Sequence, residues 1–491
     1  MTRRLVLGLL VSLCALPVAA CGGGGPGADA GAADIAPADA SVYLSVDTDV
    51  EGEQIQQARE LLARFPGSSG LLRMIESEIE EGGDVDFQQD VVPALGERLD
   101  VVVLEVPADG SEAPVVVLLQ PDDEAALDRL IAKTSEEDRP VKAEIEGWTA
   151  LASDQAALDR FEEGREAGSL EDSDEFENAM DGLDDEALVR AYVSPEAFRQ
   201  VVAQGQTGVE ELQRLYSPNG IGVTLAAAES GFGIEGAGTT DFQTENFEPS
   251  LPSAVPSGAI AYVGVGNLAD AIREVLNRAG EENAEVDQQI AQLELALGLS
   301  LDEDVLPLFE RESAVAVYPG AGGSELPAVL VATRVEDEQR AVAVVDQILE
   351  RANQYDAQIP RPTRTEIAGV ELRQVALSGG TTVVYGGSEG ILFAVTDSEL
   401  AANFLGDAAR LSEDEVFQAA SDRAELPEEL ESMFYVNLNA GADYAVALAE
   451  QAGQEVSPQV RENVEPLDWF LMHSTREDDR SVASGFLALD E

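Results

Sequence analysis

The strongest constraint on the fold of this 491-residue chain is that its second half repeats the pattern of its first. Asp90-Val91-Val92-Pro93-Ala94-Leu95 recurs as Asp304-Val305-Leu306-Pro307-Leu308-Phe309. Two apolar runs follow each copy. In the first half they cover 99–106 and 114–120 around a turn at Asp109-Gly110; in the second, 313–318 and 327–333 around Pro319-Gly320-Ala321-Gly322-Gly323. Runs this rich in Val and Leu, joined by Gly-containing turns, read as buried strands of β-hairpins. A helix with an acidic start is expected after each hairpin, over 122–133 and 336–351.

The correspondence continues. A short apolar strand over 148–153 ends at Asp154, which can cap the helix to 161; 391–396 and Asp397 repeat this before a helix to 405. Ser173-Asp174-Glu175-Phe176 matches Glu413-Asp414-Glu415-Val416-Phe417. Strands over 189–193 and 433–438 carry Tyr192 and Tyr435. Two further strands close each half, 220–228 with 231–238, and 469–475 with 481–489. Pro37 to Tyr43 parallels Pro256 to Tyr262. The expectation is an α+β fold: two tandem repeats of a mainly antiparallel sheet with flanking helices, since many strands follow one another through short turns. The repeats should cover 37–245 and 259–491, joined by a linker over 246–258 that holds Pro249, Pro252 and Pro256.

The N-terminus gives an address. Arg3 and Arg4 precede an apolar run over 5–16, and Val18-Ala19-Ala20-Cys21 follows Pro17. This is the order of a secretory signal peptide, too short for a comfortable membrane span. The last four residues resemble the lipobox of bacterial lipoproteins. That resemblance implies cleavage between Ala20 and Cys21 and a diacylglyceryl group on the Cys21 sulfur, enough for stable anchoring. Arg3-Arg4 also admits a twin-arginine export route, though its flanking residues fit poorly. Residues 1–20 then form the signal and 21–36, starting with Gly22-Gly23-Gly24-Gly25-Pro26-Gly27, a flexible tether. The expected location is the outer face of the cytoplasmic membrane. Cys14 leaves with the signal, so no intrachain disulfide can form and stability must come from a core.

The net charge of −66 comes from 95 acidic against 29 basic residues; Lys133 and Lys142 are the only lysines. The acids are spread between apolar segments, which makes them a solvated shell around ordinary cores. Such a shell repels itself, and salt relieves the repulsion. It also argues against nucleic acid as a partner and keeps the body away from anionic headgroups.

The Pro-x-x-Ala/Gly-x-x-Tyr opening strand, the Asp-Val-x-Pro segment before an apolar hairpin and the lipoprotein signal together resemble a domain-of-unknown-function family. Its members are exported or membrane-tethered bacterial proteins, common in actinobacteria. The resemblance implies an envelope location and transfers no catalytic residue.

Candidate chemistry is sparse. His473 is the sole histidine and Cys21 is committed to lipid, so neither Ser-His-Asp, Cys-His nor common zinc chemistry is supported. Gly264-Val265-Gly266-Asn267-Leu268-Ala269 imitates a dinucleotide fingerprint, but its counterpart Ser45 to Val50 lacks the glycines, and a strand-to-helix turn explains it. Asp47-Thr48-Asp49-Val50-Glu51-Gly52 opens like a calcium loop, yet the twelfth position is Ala58, where a Glu is needed. The acidic run 171–175 reads as a solvated cap before Phe176. No carboxylate pair stands out for hydrolysis. No catalytic, cofactor or metal residue is assigned, and no cofactor is expected. The reading is a non-enzymatic, lipid-anchored envelope module that binds or scaffolds, with an envelope protein as partner. The alternatives are a carrier or chaperone for lipid or another apolar ligand, and a carboxylate hydrolase.

Overall fold

The computed structural model describes residues 31–68, 91–108, 111–134, 139–204, 218–240, 245–282, 284–320, 326–355, 360–377 and 381–490. Two compact units emerge. The first takes the described residues up to 240 together with 457–467 and 477–490; the second takes 245–456 with 468–476. Helices and strands mix along the chain, and within each unit the strand pairings among the described residues are antiparallel, so the fold is α+β.

In the first unit, β1 (Val42–Asp47) is central. On one side lie β2 (Arg98–Val103), β3 (Val115–Leu119), β5 (Trp148–Ala152) and β4 (Val141–Ile145), in that order. On the other lie β6 (Val189–Val193), β7 (Pro218–Ala228) and β8 (Gly231–Thr240). The last strand of the chain, β18 (Arg480–Leu489), then pairs with β8 from Arg480↔Thr239 to Ala488↔Gly231. The sequence reading places this strand in the second repeat. In the structure Phe486, Ala488 and Leu489 are buried. Arg64 Nη1 donates to the carbonyls of Leu489 (2.9 Å) and Asp490 (3.2 Å).

Local chemistry sets the helix starts. The Asp123 side chain accepts the Ala125 N–H, Asp154 accepts that of Ala157, and Ser173 accepts that of Phe176. Each satisfies an amide that the first turn leaves unpaired. Gly96, at φ 94°, turns the chain into β2 where a side chain would run into the Gln120 carbonyl. The Glu124–Lys133 helix buries Ala126, Leu127 and Leu130 on one sheet face, against Val101, Val117 and Leu151. The other face carries Tyr43 directly opposite Tyr192, with Phe176 edge-on to both at 6.0 and 5.2 Å.

One expected boundary moves here. Residues 31–36, read as the end of a flexible tether, form a short 3-10 turn (Gly31–Asp34) with Ala32, Ala33, Ile35 and Ala36 fully buried in this core. Small apolar side chains give a Gly/Ala-rich segment something to bury, and composition alone does not distinguish that from a linker. Residues 1–30, which hold the proposed signal, Ala20, Cys21 and the rest of the tether, lie outside the described residues.

In the second unit β9 (Ala261–Val265) is central. Outward on one side come β10 (Ser313–Tyr318), β11 (Ala328–Arg334), β15 (Ile391–Val395), β14 (Thr382–Ser388), β13 (Val370–Ala376) and β12 (Thr363–Ile367). On the other come β16 (Ser432–Asn437) and β17 (Leu467–Glu477). Tyr262 stands opposite Tyr435, and Phe417 meets Tyr435 edge-on at 5.1 Å. The strand expected to reach 438 stops at Asn437, whose side chain accepts the Ala440 N–H and starts the Leu438–Gln451 helix.

The segment 246–258, read as a linker, is built into this unit. Phe247 bridges to Leu430 and Pro256 to Arg410, and Leu251, Pro252 and Val255 are buried. The buried Glu312 carboxylate accepts the N–H groups of Ser250 (2.8 Å) and Leu251 (2.9 Å) and the Ser250 hydroxyl (2.7 Å). Proline density gave a linker signal, but the prolines shape a 3-10 turn that a carboxylate holds.

Candidate functional site

Strand β9 presents Tyr262 and Gly264 to one side of its sheet and Ala261, Val263 and Val265 to the other, as the period of two requires. Val263 is paired with Val315 on β10 and with Phe434 on β16, and Val315 with Val331 on β11. Four large apolar side chains therefore form one row across four neighbouring strands. Their exposures are 36% for Phe434, 37% for Val263, 40% for Val315 and 43% for Val331. Phe434 continues the row to Met472, its pair on β17, and packs against Phe470 at 5.9 Å between ring centres. Val331 continues it to Ala394 on β15.

The first unit shows that this openness is not a property of the sheet pattern. Leu44 follows Tyr43 as Val263 follows Tyr262, and the strands beside it bring Val101 and Val117 into line. Those two valines are 4% and 0% exposed, sealed by the Glu124–Lys133 helix and the 91–95 segment. In the second unit the Glu338–Tyr355 helix follows the hairpin in the same way but packs on β14 and β15, burying Ala341 and Val344 with Leu392. The centre of the face stays uncovered.

The helices around it are amphipathic but incompletely packed. In the Leu268–Glu282 helix Ile272, Val275 and Leu276 are half-buried, as are Val345, Ile348 and Leu349 of the Glu338–Tyr355 helix. No side chain of the Leu438–Gln451 helix is fully buried. Contiguous exposed apolar surface of this kind makes the face the candidate binding surface of this unit. The runs 313–318 and 327–333, whose composition predicts buried strands, are buried on one face and open along the other. Both faces of these strands are apolar, and periodicity does not say which face a helix will cover.

The residues singled out for chemistry are dispersed. His473 is buried on β17 opposite Met433; its Nε2–H donates to the Ala424 carbonyl at 3.0 Å, and Nδ1 has no partner. Burial pushes its pKa below the usual histidine value, with the bond to Ala424 opposing. No acid or hydroxyl engages the free nitrogen, so a relay through it has no support. Gly264 to Ala269 is a strand-to-helix turn with Asn267 at φ 38°, and the space beside Gly266 belongs to the Phe247 ring. Asp47 accepts the Asp49 N–H and Asp49 accepts the Glu51 N–H, so both carboxylates cap backbone at the approach to the Glu53–Ala63 helix. Ser173 caps the Asp174–Met180 helix, with Asp174, Glu175 and Glu177 in its first turn.

Two further groups were not foreseen. In the first unit Asp100 is fully buried and accepts the Tyr43 hydroxyl (2.9 Å) and the Ala32 N–H (3.2 Å); burial raises its pKa above the usual carboxylate value. In the second, a cleft of about 820 Å³ is lined by Thr365, Thr382, Thr396, Ile367 and Val384. Among the described residues lining it, Asp397 is the one carboxylate, and it caps the Ser398–Leu405 helix through the Glu399 and Leu400 N–H groups. Among the described residues no group of three or more metal-binding side chains converges, and no helix is long and apolar enough to cross a membrane.

Comparison with known proteins adds a family. No curated protein matches the sequence. Two solved structures, crystal forms I and III of TP0453, share 11% and 9% identity with this chain. They cover 51% and 48% of it and 86% and 92% of their own length. Their TM-scores of 0.24 and 0.23 are too low to carry an argument. The family model described as a protein of unknown function, DUF3352, matches residues 130–489, which is most of both units, and the chain belongs to that family.

Proposed function

We propose that this protein is a non-enzymatic binding module, anchored by lipid on Cys21 to the outer face of the cytoplasmic membrane, whose second unit receives an apolar ligand. The observation that carries the reading is the uncovered row Phe434–Val263–Val315–Val331. Covering these four side chains is worth about 3 kcal/mol, since fully burying a large aliphatic or aromatic side chain contributes about 1.5–3 kcal/mol. A soluble unit that leaves this uncollected is poised to gain it from a ligand.

In this reading the two units are tandem copies of one α+β module that have diverged. Support comes from the strand order outward from Tyr43 and from Tyr262, and from the tyrosine pair at the centre of each sheet. One copy closes its helix-covered face and serves as a stable body; the other keeps the face open. The signal and lipobox at 1–21 support export and anchoring, and the acidic composition favours standing off from anionic membrane. An envelope protein partner belongs to the same reading as the recipient of what the module holds.

Native mass spectrometry of the protein isolated from membranes tests this directly. The expected result is a mature chain starting at an acylated Cys21, carrying an apolar mass that unfolding releases. A chain recovered from cytosol with its leader intact would sink the address, and a ligand-free chain that does not bind the neutral apolar dye Nile red would sink the binding reading.

A further inference from the structure

We infer that the open face of the second unit is a slot for a single acyl chain bearing an uncharged head; this rests on the binding reading above. Three observations select that class. First, the face is already partly roofed. The Glu338–Tyr355 helix sits on β14 and β15 over Leu392, which lies on the same side as Ala394 and Val331. The helix therefore walls the β15 end of the row, whose own side chains stay 36–43% exposed. A thin, flexible occupant suits a strip beside a helix wall better than the broad surface of a folded protein.

Second, the length fits. Four strands at about 4.8 Å spacing make a row about 14 Å long. An extended chain of about ten to twelve carbons covers that distance at ordinary carbon–carbon bond lengths. The surface it meets is aliphatic along three strands and ends at Phe434 on the fourth, with Met472 and Phe470 of β17 beyond it. Each methylene placed on it should tighten binding by about fourfold.

Third, charge selects the head. Ala261, Val263 and Val265, with Ser313, Val315 and Val317 beside them, contain no charged side chain, while the whole chain carries −66. An uncharged face offers nothing to neutralise a carboxylate or phosphate, and the surrounding acidic field repels either. A neutral head meets neither cost.

The test uses the purified full-length chain carrying Cys21→Ser, with Nile red as the reporter. Monododecanoylglycerol should displace the dye, and dodecanoate should do so at least tenfold more weakly at low salt, with the gap narrowing as NaCl screens the charge. Val331→Gln, at an exposed position, should weaken both dye and glyceride at least tenfold with the melting temperature unchanged; Val315→Thr/Val331→Thr, which keeps β-branched shape, serves if the first variant misfolds. Dye binding that no single-chain lipid displaces would overturn the acyl-chain class and leave the binding reading standing. Failure of both dye and lipid would overturn both. Equal displacement by dodecanoate at low salt would overturn the selection by charge. Lipid-free dimerisation abolished by Val331→Gln would make a second copy the occupant and remove the lipid.

Discussion

The Tyr43 hydroxyl donates to Asp100 Oδ1 at 2.9 Å, inside a core where Asp100 has no exposed surface. Ser45 stands opposite Asp100 in the β1–β2 ladder; the matching pair in the β9–β10 ladder is Gly264 and Ala314. Tyr262, in the place of Tyr43, accordingly has a buried hydroxyl with no partner. Each tyrosine lies on the central strand of its unit's sheet, and the two differ in what surrounds them. Tyr43→Phe should therefore cost about 1–3 kcal/mol, by leaving a buried carboxylate short of a donor, whereas Tyr262→Phe should be neutral or stabilising. Urea unfolding of the two variants decides it; equal costs would refute the argument.

Asp100 also gives a pH signature. Its folded pKa is raised by burial, with the hydrogen bonds from Tyr43 and the Ala32 N–H opposing. A raised carboxyl is most stabilising below the unfolded value of 3.8 and loses that contribution as pH rises through the folded pKa. Asp100→Asn keeps an acceptor oxygen for one of the two donors, Tyr43 or Ala32, at a constant cost for the other, and removes the titration. Its stability relative to the parent should improve as pH climbs from the unfolded value toward neutrality. A constant difference in denaturation midpoint across that range would contradict this.

His473 should act in the opposite sense. Burial lowers its folded pKa below 6.5, so the unfolded chain binds the proton first. Stability contributed by the neutral ring is complete above about pH 6.5 and is lost as pH falls toward the folded value. His473→Gln should flatten that part of the stability profile. NMR titration of the single imidazole checks the direction independently, and a pKa above 6.5 would rule the account out.

The first unit should depend on the end of the chain. β18 completes its sheet against β8, and Phe486 is 3% exposed there. Phe486→Ala should cost about 3–5 kcal/mol. Ending the chain after Arg476 should expose the β8 edge and open the first unit to protease, with a synthetic peptide of residues 478–491 restoring resistance. Undiminished resistance in the shortened chain would mean that the first unit closes without this strand.

Salt should stabilise the whole protein. Many of the ion pairs formed by its few arginines are solvent-exposed, such as Arg160–Glu105 and Arg311–Glu336, and pairs of that kind contribute little. The dominant electrostatic effect is repulsion within an excess of 66 negative charges. Raising NaCl from about 0.05 to 1 M shortens the screening length from over 10 Å to about 3 Å and should raise the melting temperature steeply. A melting temperature indifferent to salt would remove this expectation.

Much of the architecture was legible in the amino-acid order. Apolar runs placed many of the strands, and the Asp caps placed helix starts at Asp154 and Asp397, because capping and pleating act between neighbours in the chain. Charge and the poverty in histidine and cysteine argue against nucleic acid as a partner and against histidine- or thiol-based chemistry. Tertiary structure alone decided which apolar face is covered: Val117 and Val331 sit in similar strands, and only the docking of a helix makes one buried and the other open. It likewise decided that 31–36 and 246–258 pack into cores, and that β18 belongs with β8. Each of these depends on partners tens to hundreds of residues away, and local propensity carries no information about them.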